Sequence, residues 1–321
     1  MSEKIKGVVV LNNSIESFLD DNSGNMAGSQ RLLNSFNSAG WDVAVVYPEN
    51  VFKDENNNIR FKKAAIYDSW SSKLKLVNPE KYYGSDFLWA RQVGENLGDE
   101  VLSKNFCDII DTANEEYSYL LNPKGSTKYF LKSVQESLNL PFPDQYKIND
   151  ADDLVNLVNE GFQLIAKPSV GWKSANVKII NNNKSLNEFL SLEHPIDKYV
   201  FQEFLPLVDG APNELRINWI GDDHFLREKI YNVDSKGYDM LVGYRFHNSD
   251  SITAAQKEIL DSAKEQTGMH MGSVDLRNGS HVIELNNAGI GLSIALEEKN
   301  YYYLYSLEPT VIDLIRQNVK K

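Results

Sequence analysis

The chain has 321 residues, enough for two or three packed subdomains with a substantial core. Hydrophobic residues make up 42% and charged residues 24%, as in ordinary globular enzymes, and no apolar run approaches the ~18 residues needed to cross a membrane. A net charge of −12 argues against a nucleic-acid surface, which needs a basic footprint, and the single cysteine, Cys107, rules out an internal disulfide framework and fits a reducing, cytoplasmic setting.

Gly7–Leu11 is too short for a signal-peptide core and reads as a first strand. A helix is expected over Met26–Ala39, with Leu32, Leu33 and Phe36 at helical spacing and Gly40 as its stop. Trp41–Tyr47 reads as a second, buried strand and Asp54–Asn58 as a turn. A helical stretch near 84–104 and a strand at Cys107–Asp111 complete an alternating α/β unit. A helix from Gly125 to Leu138 is stopped by Leu140-Pro141-Phe142-Pro143, and Ala151–Asn159 is a short helix with Asp152 and Asp153 near its start. Strands near 162–167, 176–180 and 198–204 follow, with a helix at 185–192. Then come strands near 214–220 and 225–231, a polar flexible segment at 232–250, a helix at 253–267, and a last helix near Glu308–Asn318.

Two stretches carry chemistry. In Met271–Asn287, strand-like runs flank Asn278-Gly279, the strongest short signal for a type I′ turn. Glu284 and Asn286, two apart, share a face, and pairing across the turn can bring Asp275 beside them. Three hard oxygen ligands together suit Mg²⁺; a solvated hairpin with a polar face is the bland alternative. Upstream, Phe162–Lys167 is a strand ending in Lys167-Pro168. A buried strand lysine is costly unless it meets an anion, and the small residues that follow, Ser169, Gly171, Ser174 and Ala175, let backbone N–H groups approach phosphate. A further strand-like run, Tyr199–Leu205, ends at Pro206.

In this order, the Lys-Pro strand, the small-residue loop, Gln202-Glu203-Phe204-Leu205 and Asp275…Glu284-x-Asn286 resemble the ATP-grasp superfamily. The nearest branch is that of glutathione synthetase and the ribosomal-modification (RimK-like) carboxylate–amine ligases, over residues 120–300. The resemblance implies an α/β (α+β) ATP-grasp fold in three parts: an N-terminal α/β pre-ATP-grasp domain (1–120), a central lid subdomain (121–205) and a C-terminal mixed-sheet subdomain with the metal site (206–321). It implies ATP as cofactor with two Mg²⁺ ions (or Mn²⁺), and amide or peptide bond formation through an acyl-phosphate. Such chemistry needs positioning and charge neutralisation rather than a protein nucleophile. Lys167 would meet the α- and β-phosphates, with Lys128 (or its rival Lys124) as the earlier nucleotide lysine and Ser174 in the phosphate loop. Gln202 and Leu205 would meet the adenine edge through backbone groups, with Glu203 and Phe204 beside them, and Glu214 would accept the ribose hydroxyls. Arg216 would face the transferred phosphoryl or carboxylate, with Lys229 beside Arg227 as further phosphate contacts. Asp275, Glu284 and Asn286 would hold the metals, Glu284 bridging.

The sequence departs from that family in two places. Trp172-Lys173 stands where the phosphate loop is usually richer in glycine, and Gly237–Asp250 lacks an Arg-Gly-Gly run, leaving Arg245 or His247 for the acceptor role. Competing chemistries find no support: Cys107 has no catalytic signature, the five histidines lack zinc-ligand spacing, and no Gly-x-Ser-x-Gly elbow occurs. Substrates would be a small-molecule carboxylate and an amine, or a peptide; no nucleic acid or membrane partner is expected, and a homo-oligomer remains open. Two other readings stand beside the ligase. One is a macrocyclase acting on a ribosomal precursor peptide, with Tyr82-Tyr83…Phe87-Leu88-Trp89 as its groove; the other is a nucleotide sensor without turnover.

Overall fold

The computed structural model describes residues 4–11, 27–71, 73–90, 100–114, 116–121, 124–125, 132–169, 176–192, 196–208, 213–233, 239–247, 249–286, 293–298 and 301–319. In the first part, strands β1 (Lys6–Val10), β2 (Asp42–Val46), β3 (Val51–Lys53), β4 (Ile59–Phe61), β5 (Ala64–Asp68), β6 (Lys73–Val77), β7 (Phe87–Ala90) and β8 (Tyr119–Leu121) surround helices α1 (Ala27–Ser38) and α2 (Glu100–Thr112). Six of these strands form one sheet in the order β6-β5-β2-β1-β7-β8, and β3 and β4 pair separately. Val8, Val9 and Val10 are fully buried, because β1 lies parallel between β2 and β7 with helices on both faces. Leu32, Leu33 and Phe36 of α1 pack on one face and Phe106 and Ile110 of α2 on the other.

This reverses one sequence expectation. Phe87–Ala90, expected within a helix, is a strand, and Cys107–Asp111, expected as a strand, lies within α2. Phe87, Leu88 and Trp89 are at most 1% exposed, which a central strand covered on both faces permits, whereas Phe106 and Ile110 recur at the helical spacing of one buried side. The same burial removes the aromatic stretch as a peptide groove: these rings are core, and the Tyr82 hydroxyl donates to Asp42 at 2.8 Å.

The second part opens with the short helix α3 (Lys132–Gln135), the described remnant of the expected Gly125–Leu138 helix. Gly125 itself turns at φ +81°. Strands β9 (Gln145–Tyr146), β10 (Leu164–Pro168), β11 (Lys178–Ile180) and β12 (Tyr199–Glu203) pair antiparallel in the order β11-β10-β12-β9. Helices α4 (Ala151–Asn159) and α5 (Asn183–Leu190) back one face around Leu154, Leu164, Ala166, Leu186 and Phe201. Asp150 caps α4 by accepting from the Asp152 and Asp153 amides at 3.0 and 3.1 Å. The Asn181–Asn183 tract supplies a capping box for α5 between Asn182 and Ser185.

The third part is a five-stranded antiparallel sheet, β15-β14-β13-β16-β17, built from β13 (Glu214–Ile220), β14 (Asp223–Val233), β15 (Asp239–His247), β16 (Met271–Arg277) and β17 (His281–Asn286). One face packs Leu215, Ile217, Trp219, Val274, Leu276, Val282 and Leu285 against Leu260 and Ala263 of α6 (Ala254–Thr267). The expected flexible segment 232–250 is corrected: nine of its residues form β15, paired along β14. It forms the edge strand of this sheet beside β14. A hairpin of β18 (Ser293–Glu298) and β19 (Tyr301–Ser306) precedes α7 (Glu308–Val319). That last helix returns to the first part, burying Val311 and Ile315 in its core.

Candidate active site

Antiparallel register places side chains directly opposite one another on one sheet face. Arg216 on β13 stands opposite Asp275 on β16, and Asp275 opposite Glu284 on β17. Arg227 on β14 extends this row beyond Arg216. The next row aligns Lys229, Glu214 and Arg277, and the row on the other side aligns Asn218, Ser273 and Asn286. The opposite face of the same strands is the α6 core. Asn278 and Gly279 take φ of +52° and +73°, as a type I′ turn requires, and Ser280 N–H donates to Arg277 O at 3.2 Å. A bulge then leaves Ile283 without a cross-strand partner between the Asp275–Glu284 and Leu276–Val282 pairs.

The charges on this face are paired, and Glu214, Asp275 and Arg277 are buried. Arg216 grips Asp275 with two bonds, Nε to Oδ1 at 2.6 Å and Nη2 to Oδ2 at 2.5 Å, and Asp275 is 1% exposed. Lys229 donates to Glu214 and lies 3.6 Å from Asp275. Burial opposes the charged form of Asp275, but Arg216 and Lys229 outweigh it and hold the carboxyl well below the usual range. Lys132 of α3 approaches Glu284 at 3.5 Å. From the four-stranded sheet of the second part, buried Lys167 donates to Gln202 Oε1 at 2.7 Å and to the bulged Ile283 carbonyl at 2.9 Å. Burial pushes the Lys167 ammonium down to about 8, with Glu284 opposing that shift.

A cleft of about 550 Å³ lies between the two sheets. Its lining brings together Lys167, Gln202, Glu203, Phe204, Leu205 and Glu214, six residues that the sequence assigns to the nucleotide. Ile165, Ile179 and Phe189 supply apolar wall, the mixture expected of a small-molecule pocket. Gln202 serves here through its side chain, which orients Lys167, since its backbone sits within the sheet between β10 and β9. The Leu205 carbonyl accepts from Arg277 Nε at 3.0 Å.

Other assigned residues are not placed at this cleft by the described structure. Lys128, Ser174 and the neighbouring Trp172 are outside the described residues, as is the side chain of Arg245, whose backbone lies opposite Glu228. Lys124, the rival of Lys128, donates to the Ala113 carbonyl just past α2 and so has a structural partner. His247 sits 3.1 Å from Glu228, which points away from the Arg216 row. Four residues of the site escape the sequence reading. Arg277, Asn218 and Ser273 could have been found from strand parity with Asp275 and Arg216. Lys132 gives no such signal, because only the tertiary fold brings α3 to β17.

These residues suit a magnesium nucleotide by their own chemistry. From Glu214 to Asn218 and across the sheet, the carboxylates Glu214, Asp275 and Glu284 meet the cations Arg216, Arg227, Lys229 and Arg277, and Lys132 and Lys167 add to the cations. In a chain of net charge −12 this is a concentrated anion site. Among the described residues no three His, Cys, Asp or Glu side chains converge on a metal position by themselves, so Asn286 would be the third protein ligand. Asn218 Oδ1, Ser273 Oγ and Asn286 Nδ2 are buried without a hydrogen-bond partner, an arrangement that costs stability unless a ligand or water serves them. No described helix is long and apolar enough to cross a membrane.

No protein-family model matches the chain, and neither does any curated protein. Solved structures resemble it along nearly its whole length. The macrocyclase MdnC from Microcystis aeruginosa MRC, bound with precursor peptide MdnA, shares 13% identity at a TM-score of 0.61, covering 98% of this chain and 100% of that one. The ATP-grasp ligase PsnB, complexed with a phosphomimetic variant of minimal precursor, Mg and ADP, shares 15% at 0.60, covering 97% and 98%. D-alanyl-alanine synthetase A from Vibrio cholerae O1 biovar eltor shares 11% at 0.59, covering 99% of each. At such identities the likeness is one of architecture, and the architecture of this chain is the ATP-grasp fold.

Proposed function

We propose that the protein is an ATP- and Mg²⁺-dependent carboxylate–amine ligase that forms an amide or peptide bond through an acyl-phosphate. The observation that carries this reading is the row Arg216–Asp275–Glu284, with buried Asp275 at its centre and Lys167 reaching it from the facing sheet. Lys167 and Lys229 would neutralise phosphate oxygens, with Lys128 and Ser174 completing the nucleotide contacts. Gln202, Glu203, Phe204 and Leu205 would border the base, and Glu214 the ribose. Arg216 would orient the acceptor carboxylate or the transferred phosphoryl group by its two-pronged geometry, with Arg245 on the acceptor side. Asp275, Glu284 and Asn286 would hold the divalent ions, two in number, with Mn²⁺ as a substitute for Mg²⁺. The ions would supply charge stabilisation on the phosphoryl group in flight.

The division into domains at 1–120, 121–205 and 206–321 and a cytoplasmic location belong to the same reading. A second reading, macrocyclisation of a precursor peptide, is favoured by the peptide-bound relatives MdnC and PsnB. It would need a docking surface other than the buried Tyr82–Trp89 stretch. An ADP-release assay against pooled carboxylates, with and without amino acids and peptides, tests both. ADP formation that needs a carboxylate and an amine supports the ligase; nucleotide binding with no turnover in any pool would leave the sensor.

A further inference from the structure

The helix α3 is fastened at two points beside the cleft. Gln135, 2% exposed, clamps it to β17: its Nε2 donates to Leu285 O at 2.7 Å and its Oε1 accepts from Leu285 N at 2.8 Å. Lys132 N–H donates to Ser169 O at 3.2 Å, just beyond the end of β10. These bonds deliver the Lys132 side chain, 14% exposed, to Glu284. The two site carboxylates are therefore held in different ways. The partners of Asp275, Arg216 and Lys229, belong to its own sheet, and Arg216 is fixed by a two-bond fork. The ion-pair partner of Glu284, Lys132, arrives from outside the sheet on a flexible four-carbon stem, at 3.5 Å.

The position beside the Glu284 carboxylate can be filled either by an ammonium or by a divalent ion. We propose that Lys132 is a positioning residue that stands in for the divalent cation beside Glu284, holding the carboxylate aimed at the cleft until the metal–nucleotide arrives. This inference rests on the ligase reading. Lys132 then competes with the cation in the free protein, so divalent ions bind weakly alone. When nucleotide enters, its phosphates give the displaced ammonium a new partner, and metal and nucleotide binding become mutually reinforcing.

The test uses Mn²⁺ as probe, followed by water-proton relaxation on the full chain without nucleotide or turnover. Lys132→Met is expected to bind Mn²⁺ about tenfold tighter than wild type, a modest demand on a unit charge at contact distance. Lys132→Arg, which keeps the charge, should bind like wild type, and the gain should vanish when Glu284→Gln is added to Lys132→Met. Equal Mn²⁺ affinity in wild type and Lys132→Met overturns the inference, as does a Lys132→Arg protein that behaves like Lys132→Met. Lys132→Gln is read by the same criteria should Lys132→Met fail to fold. Calorimetry of wild type with Mg²⁺ and a non-hydrolysable ATP analogue separates the two levels. Absence of nucleotide binding would remove the ligase reading itself, whereas binding with unchanged Lys132→Met Mn²⁺ affinity removes only the role of Lys132.

Discussion

The first and last sheets of this chain solve the same packing problem in opposite ways. In the first, Val8, Val9 and Val10 run without interruption because helices cover both faces. In the last, Leu215, Ile217 and Trp219 alternate with Glu214, Arg216 and Asn218, and only the apolar side meets a helix. The polar side is nevertheless buried, roofed by the lid sheet across the cleft. A buried polar face with orphaned atoms costs stability and is retained where a ligand completes it. Under the proposed function, the comparison separates a sheet that only holds the fold from one whose buried charged face would hold a ligand.

Paired substitutions sharpen that contrast most. Phe36→Ala in the first core and Arg216→Ala in the last sheet should each cost about 3–5 kcal/mol of stability, the first by a cavity and the second by leaving Asp275 buried and uncompensated. Thermal melting with saturating Mg²⁺ and an ATP analogue distinguishes them. Phe36→Ala should keep the full ligand-induced rise in Tm, and Arg216→Ala should lose most of it. Equal rises in both would break the division between the two sheets.

Glu284→Gln should lower ADP formation by roughly 10²-fold or more while the protein melts near the wild-type temperature, because removing a charge stabiliser acts on the transition state. A variant that keeps more than about a tenth of the wild-type kcat would take Glu284 out of the metal site. Lys167→Ala should weaken binding of an ATP analogue by about 1.5–3 kcal/mol by calorimetry, the scale of a charge-assisted hydrogen bond. Unchanged affinity would make Lys167 a structural lysine.

The smallest effect is one of pH. Lys167 falls from 10.5 to about 8 on folding, so between those values the unfolded chain holds a proton that the folded chain lacks. Its burial cost to stability is thus full below pH 8 and is relieved as pH rises toward 10.5. Nucleotide affinity should move the other way, declining above pH 8 as the ammonium is lost, with no such decline in Lys167→Ala. A wild-type affinity that is flat across this range would show that Lys167 does not meet the phosphates.

Much of the site was legible because strand parity is a local rule. The spacing of Glu284 and Asn286 puts that pair on one face by local rule, whereas Asp275 comes opposite Glu284 only through the bulge at Ile283. The same rule, carried two residues on, would have found Arg277 and Ser273. The swap of helix and strand between Phe87 and Asp111 came from short apolar runs whose period does not separate the two, so neighbours decided.

By itself the sequence determined the alternation of β13 and β16, the turn that joins β16 to β17, the caps of α4 and α5, and the ordered set of motifs that resembles the ATP-grasp ligases. Each depends on residues a few positions apart, where backbone geometry leaves little choice. Only the tertiary structure decided that Tyr82–Trp89 is core, that α7 returns to the first sheet, that Gln202 turns its side chain to Lys167, and that Lys132 meets Glu284. Those contacts join distant parts of the chain, and the burial that makes each charge pair strong exists only once the sheets have closed over the cleft.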